Sequence, residues 1–230
     1  MKKEFKVVKE FNELEVDMIE LRIDFYENIH QEDALRNLFL NIAALQIQKP
    51  VILTIRTAAE GGEVEIDPKD YFNVYKLAVE ANAFDIYDVE LALGTNMAIE
   101  LRTLIHDAGK YMLMSSHNFD RTPEVDSLMQ KFRSMDSLEA DIMKVAVMPE
   151  DYQDLLNLLS FTVQAKHEYA QKPIVTMSMS SIGLTSRLVG EQFGSAITFA
   201  SVGKASAPGQ IDYQELNQML DIIHKNIQEA

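Results

Sequence analysis

Short apolar or β-branched runs recur along the chain at residues 16–22, 51–56, 86–91, 111–117, 142–147, 174–179 and 196–201. Runs of that length, bounded by polar stretches, read as strands. Between them the apolar residues return at helical spacing, as in Leu35, Leu38, Phe39, Ile42 and Leu45, or Val125, Leu128, Met129, Phe132 and Met135. Each set forms the stripe of a helix with one face on a sheet. Helix starts are marked as well. Asp67 and Thr122 each precede a proline, and Asp212 stands three residues before Glu215 in a capping-box arrangement. Strand and helix alternate over one chain with no Pro/Gly/Ser-rich linker, which predicts a single parallel α/β domain spanning 1–230. Seven such repeats suit a (β/α)8 TIM barrel better than the open doubly wound sheet that stands as the alternative.

Alternate side chains of a strand point to opposite faces. In the run Ile142-Met143-Lys144-Val145-Ala146-Val147, Met143, Val145 and Val147 form an unbroken apolar face for the helices, so Lys144 points inward with Ile142 and Ala146. The same sorting turns Glu20 and Arg22, Arg56, Asp88 and Glu90, and Ser115 and His117 inward. Most of these lie near the carboxyl ends of their runs, the end at which barrels of this kind build their sites. Met177 and Met179 read as core packing or, in a site, as an apolar wall.

Composition narrows the chemistry. The 230 residues carry 36 acidic against 21 basic side chains, a formal net charge of -15, which would repel phosphate backbones and anionic lipid heads. Neither nucleic acid nor a membrane surface is expected as a partner. No apolar run has spanning length and no secretory leader is visible, so the expected compartment is the cytoplasm. With no cysteine, thiol chemistry and cysteine metal sites are excluded. No histidine pair has ligand spacing, so Asp88 and Glu90 read as ion-pair partners rather than metal ligands. Arg22, Arg56 and Arg187 are three of only seven arginines. An acidic protein that gathers them in one mouth is expected to bind a small anion there.

The segments Glu20-Leu21-Arg22-Ile23-Asp24, Arg56-Thr57-Ala58-Ala59-Glu60-Gly61-Gly62, Ser116-His117-Asn118-Phe119, Lys144-Val145-Ala146-Val147-Met148-Pro149 and Ser206-Ala207-Pro208-Gly209-Gln210 occur in this order. Together they resemble the type I 3-dehydroquinate dehydratases of the shikimate pathway, over a stretch running from about Val16 to the end. The resemblance implies a homodimeric TIM barrel without cofactor or metal, serving aromatic amino acid biosynthesis. It also implies a lyase that converts 3-dehydroquinate to 3-dehydroshikimate by syn elimination of water. By motif position it makes Lys144 the Schiff-base lysine, His117 the general acid/base and Glu60 the carboxylate that orients the histidine. Glu20, Arg22, Arg56, Arg187, Ser206 and Gln210 match its substrate-binding positions, with Arg187 on the substrate carboxylate. The sequence departs from the family in two places. Ser180 stands where the family usually has a glycine, and fewer residues precede the Glu20 motif than the family's first strand and helix require. On that pattern residues 1–15, with Phe5, Val8, Phe11 and Leu14 at helical spacing, are the remainder of the first helix and the first strand is lacking. A displaced strand over 5–8 and a start lying further upstream are the other readings.

The chemistry follows from the substrate. A proton α to a ketone is too weakly acidic for a neutral base, whereas a protonated imine on Lys144 withdraws electrons and lets His117 remove it. Two alternatives stay open on the residues alone. One is a class I aldolase or transaldolase, which also uses a barrel lysine. The other is a non-catalytic quinate-binding barrel.

Overall fold

The structure is a computed structural model and describes residues 11–203 and 205–228. The readings placed on residues 1–10 lie outside these. The chain falls into two compact units, Met1–Met114 and Ser115–Ala230. The break lies within β4 (Tyr111–Asn118).

In the first unit β1 (Ile19–Arg22), β2 (Val51–Thr54) and β3 (Ile86–Glu90) are neighbours in chain order and run parallel. Their register sets Arg22 beside Thr54 and Thr54 beside Asp88. That row carries polar side chains from three separate sequence runs onto one face. The crossovers are α1 (Glu32–Ala44) and α2 (Pro68–Ala81), followed by α3 (Thr95–Asp107). Helix α1 buries Leu35, Phe39 and Ile42, the stripe its spacing predicts, and Phe39 meets Phe84 edge-on at 5.4 Å between ring centres. Helix α2 starts where the sequence marks it: the Asp67 carboxylate accepts from the backbone N–H of Lys69 and Asp70, and Pro68 takes the first helical position.

In the second unit β4, β5 (Ile142–Val147) and β6 (Ile174–Ser178) are again neighbours in chain order, and β5 pairs with β6 in parallel. Helices α4 (Val125–Ser137), α5 (Tyr152–Glu168), α6 (Leu184–Phe193) and α7 (Tyr213–Gln228) complete it. Leu128, Met129, Phe132 and Met135 are the buried face of α4, with Phe132 packed edge-on against Phe161 at 5.0 Å.

Two expectations need correction. Helix α4 begins at Val125 rather than beside Thr122, because the Thr122 hydroxyl donates to the Met148 carbonyl and is not spent on a cap. The run 196–201 forms no strand; an isolated bridge joins Ile174 to Ser195 just before it, and within it only Ser201 bridges to Asp212. The physical reason lies on the free flank of β6. There Ser195 Oγ accepts from the Thr176 N–H and Ser186 Oγ accepts from the Ser178 N–H, so serine hydroxyls occupy positions a further strand would fill. The described residues thus hold six strands rather than the seven expected.

Candidate active site

Lys144 sits in the middle of β5 and is 4% exposed, between the buried Met143 and Val145. In register it faces Val175 on β6, and Ala146 faces Met177. Its Nζ lies 4.3 Å from the centre of the Phe199 ring. The Phe199 carbonyl in turn accepts a hydrogen bond from Arg187 Nη1 at 3.2 Å, and Arg187 Nη2 donates to the Pro208 carbonyl at 3.2 Å. The sulfur of Met177 lies 3.8 Å from Nη1. Met177 thus offers its thioether as a weak acceptor beside the cation.

Arg187 is unusual in its surroundings. It is 1% exposed, its Nε has no partner, and among the described residues no carboxylate lies within ion-pair distance. Burial lowers its pKa to about 10. A guanidinium held out of water against two carbonyls and a thioether is short of an anion.

His117 stands on β4, the strand next to β5, and is half-buried near the carboxyl end. The chain beyond it is fixed. Asn118 Oδ1 accepts from the N–H groups of Asp120 and Arg121, and Thr122 ties the loop to Met148 just after β5. Next to His117, Ser116 Oγ accepts from Lys131.

Ser206 and Gln210 are held by one another. Gln210 Oε1 accepts from Ser206 N–H at 2.7 Å, Ser206 Oγ at 3.2 Å and Ala207 N–H at 3.3 Å. The loop rests on Ser180: Gly209 has φ +77°, and a Cβ there would come within 2.4 Å of the Ser180 carbonyl oxygen. Ser180 itself has φ +58°, the left-handed region that favours glycine, and its buried Oγ has no partner.

The first unit treats its arginines differently. Arg56, 3% exposed, lies 2.8 Å from Asp88, 2.8 Å from Glu90 and 3.4 Å from Glu60. Burial alone would lower its pKa, but Asp88, Glu90, Glu60 and Glu20 outweigh that and hold it above its ordinary value. Glu90 also accepts from the Thr57 N–H and hydroxyl. Arg22 grips Asp24 with Nε at 2.7 Å and Nη2 at 2.6 Å, and lies over the Phe25 ring. Glu20 accepts from the Thr54 hydroxyl. The three arginines expected to serve an anion thus differ in their surroundings. Arg22 and Arg56 are already matched by carboxylates, whereas Arg187 is not.

Phe199 and Asp24 were missed by sequence reasoning. Phe199 fell inside a run read as a strand, where an aromatic signals packing. Asp24 lies two residues after Arg22, a spacing open to interpretation as an ion pair only once the strand is seen to end at Arg22.

Comparison with known proteins places the chain among enzymes of one kind. The sequence model described as type I 3-dehydroquinase matches residues 1–227. The 3-dehydroquinate dehydratase of Bacillus licheniformis is 40% identical over 217 residues, covering 94% of this chain and 85% of that protein. Its counterpart in Bacillus subtilis is 41% identical over 213 residues, covering 93% and 84%. Among solved structures, the type I 3-dehydroquinate dehydratase of Clostridium difficile, crystallised with covalent modified comenic acid, superposes with a TM-score of 0.93 at 36% identity, covering 98% of this chain and 89% of that one. The fold is accordingly the α/β, TIM-barrel-like fold of those dehydratases. By family match, by identity and by structure, the chain belongs to the type I 3-dehydroquinases.

Proposed function

We propose that this chain dehydrates 3-dehydroquinate to 3-dehydroshikimate through an imine on Lys144, with His117 carrying the protons. The observation that carries this reading is the single wall formed by Lys144, Phe199 and Arg187. It joins a buried amine, through one residue, to a buried guanidinium that lacks a counter-ion. An amine suits a ketone and an unmatched guanidinium suits a carboxylate, and the substrate carries both groups.

The neutral amine of Lys144 adds to the ketone, and loss of water from the carbinolamine gives the protonated imine. His117 accepts the α-proton, and the C–H electron pair moves into an enamine whose sink is the imine nitrogen. The pair then returns to expel the β-hydroxyl, which takes a proton from His117 and leaves as water. Hydrolysis of the conjugated imine frees the product and the lysine. Glu60 orients the histidine on the strength of its motif position. Glu20, Arg22, Arg56, Ser206 and Gln210 keep the substrate-binding places given by motif order. Because Arg22 and Arg56 are already neutralised, they would donate to ring hydroxyls and leave the carboxylate to Arg187. The same reading takes 1–230 as one domain, working as a cytoplasmic homodimer without cofactor.

The test is direct. Incubate with 3-dehydroquinate, reduce with borohydride and map the adduct by mass spectrometry while following the enone absorbance. The expected result is an adduct on Lys144 and enone without aldehyde. An unmodified Lys144 in an active preparation defeats the covalent route, and aldehyde release would indicate carbon–carbon cleavage instead.

A further inference from the structure

The Phe199 ring is set by contacts at both ends of its segment. Upstream, the Ala196 N–H donates to the Ile174 carbonyl. Downstream, the Ser201 N–H donates to Ile211 and the Ser201 carbonyl accepts from Tyr213. Between these anchors the Phe199 carbonyl is held by Arg187 and its ring faces the Lys144 nitrogen at 4.3 Å. An aromatic face carries negative quadrupolar charge, so at this distance it attracts a cation and is nearly indifferent to a neutral nitrogen. Lys144 is 4% exposed, so water screens the interaction little.

We infer that Phe199 is a positioning residue that stabilises positive charge on the Lys144 nitrogen, above all in the protonated imine. The inference rests on the covalent reading given above and deepens it. The reaction needs its electron sink to be cationic, and that charge is present in the protonated imine but absent from the amine that attacks and from the neutral enamine. A π-face favours the cation without offering a lone pair that would compete for its proton. The interaction therefore weighs on the protonated imines that precede and follow the neutral enamine rather than on substrate capture, which falls to Arg187. Because the same residue accepts from Arg187, the ring is also spaced from the carboxylate-binding end of the wall by its own backbone.

The experiment replaces Phe199 with 4-fluoro-, 3,5-difluoro- and 3,4,5-trifluorophenylalanine, and separately makes Phe199→Leu. Ring size is nearly constant across the fluorinated series while the quadrupole weakens stepwise. Each protein is assayed for kcat, KM, the unfolding midpoint and the fraction of Lys144 trapped by borohydride at saturating 3-dehydroquinate. The expected result is a stepwise fall in trapped fraction with each fluorine, reaching roughly 2- to 30-fold in the leucine variant, with kcat shifting in step with it. KM and the unfolding midpoint should change little across the fluorinated series. A wild-type adduct on Lys144 with a flat fluorine series overturns the role of Phe199 alone. A wild-type protein that is active with Lys144 unmodified overturns the covalent reading and this inference together.

Discussion

Replacing Arg187 with methionine should separate stability from function, because the structure sets them in opposition at this residue. Burial lowers the guanidinium pKa from its ordinary value to about 10. At about 1.4 kcal/mol per unit, holding the charged form in the fold costs roughly 3 kcal/mol. Methionine fills much of the same alkyl volume without charge, so Arg187→Met removes that cost. It also forfeits the hydrogen bonds to Phe199 and Pro208, worth about 1 kcal/mol each. Pro208 is exposed and its carbonyl can turn to water. The ligand-free variant should therefore be as stable as wild type or more stable by up to about 2 kcal/mol. Its affinity for a carboxylate ligand such as quinate should fall by roughly 10²-fold or more, as expected when a buried charge partner is removed. Urea unfolding with and without quinate reads both quantities, since only a protein that binds gains stability from the ligand. The pH sign is fixed. Below pH 10 Arg187 is protonated in folded and unfolded chains alike and the fold bears the full cost. Above about pH 10 the unfolded chain, whose arginine keeps its ordinary higher pKa, binds more protons, so wild-type stability gains relative to the variant as pH rises. The advantage of the variant should accordingly be greatest near pH 7 to 9 and shrink above pH 10, and wild-type quinate affinity should weaken over the same rise. A variant that loses more than about 2 kcal/mol and still binds quinate like wild type would refute the reasoning.

His117→Ala should still form the Lys144 adduct while losing dehydration by about 10²- to 10⁴-fold, and a near-normal rate would remove His117 from the mechanism. Glu90→Gln should destabilise the protein by about 3 kcal/mol, because Arg56 and both Thr57 donors converge on a carboxylate that is 0% exposed. Denaturant titration checks this, and a change below about 1 kcal/mol would show that the cluster reorganises freely. Ser180→Gly should raise Tm by about 2–4 °C, since it relieves a left-handed backbone at φ +58° and removes a buried hydroxyl without a partner. A lower Tm would mean that the side chain contributes packing that outweighs both.

Much of the fold was legible because β2, β3, β5 and β6 are buried on both faces and so read as largely apolar runs. Those at 142–147 and 174–179 are found at Ile142–Val147 and Ile174–Ser178. Lys144 stood out for the same reason: a charge in such a run is conspicuous, and its parity with Ile142 and Ala146 needs no tertiary information. The run at 196–201 misled because apolar alternation is blind to what satisfies the backbone. The Ser195 and Ser186 hydroxyls and the Arg187 guanidinium take the hydrogen bonds of β6 and of Phe199 that a ladder would have used. The same blindness hid Phe199 as a neighbour of Lys144.

The arginines show most clearly where sequence reading stops. Arg22, Arg56 and Arg187 look alike in sequence, yet what each can do depends on the carboxylates brought to it. Strand register delivers Asp88 and Glu90 to Arg56 from more than thirty residues away, and the end of β1 delivers Asp24 to Arg22. Charges matched in this way hold their surroundings rigid and have little left to offer a second anion. Arg187 receives only carbonyls and a thioether, although acidic residues outnumber basic ones by 36 to 21 in this chain. In so acidic a protein a carboxylate partner would be easy to supply, so leaving a buried guanidinium without one sacrifices stability that a single substitution could recover. That sacrifice makes physical sense if the missing anion arrives with the substrate, and on the proposed function the charge state of Arg187, rather than the number of arginines, would be the quantity on which ligand recognition turns.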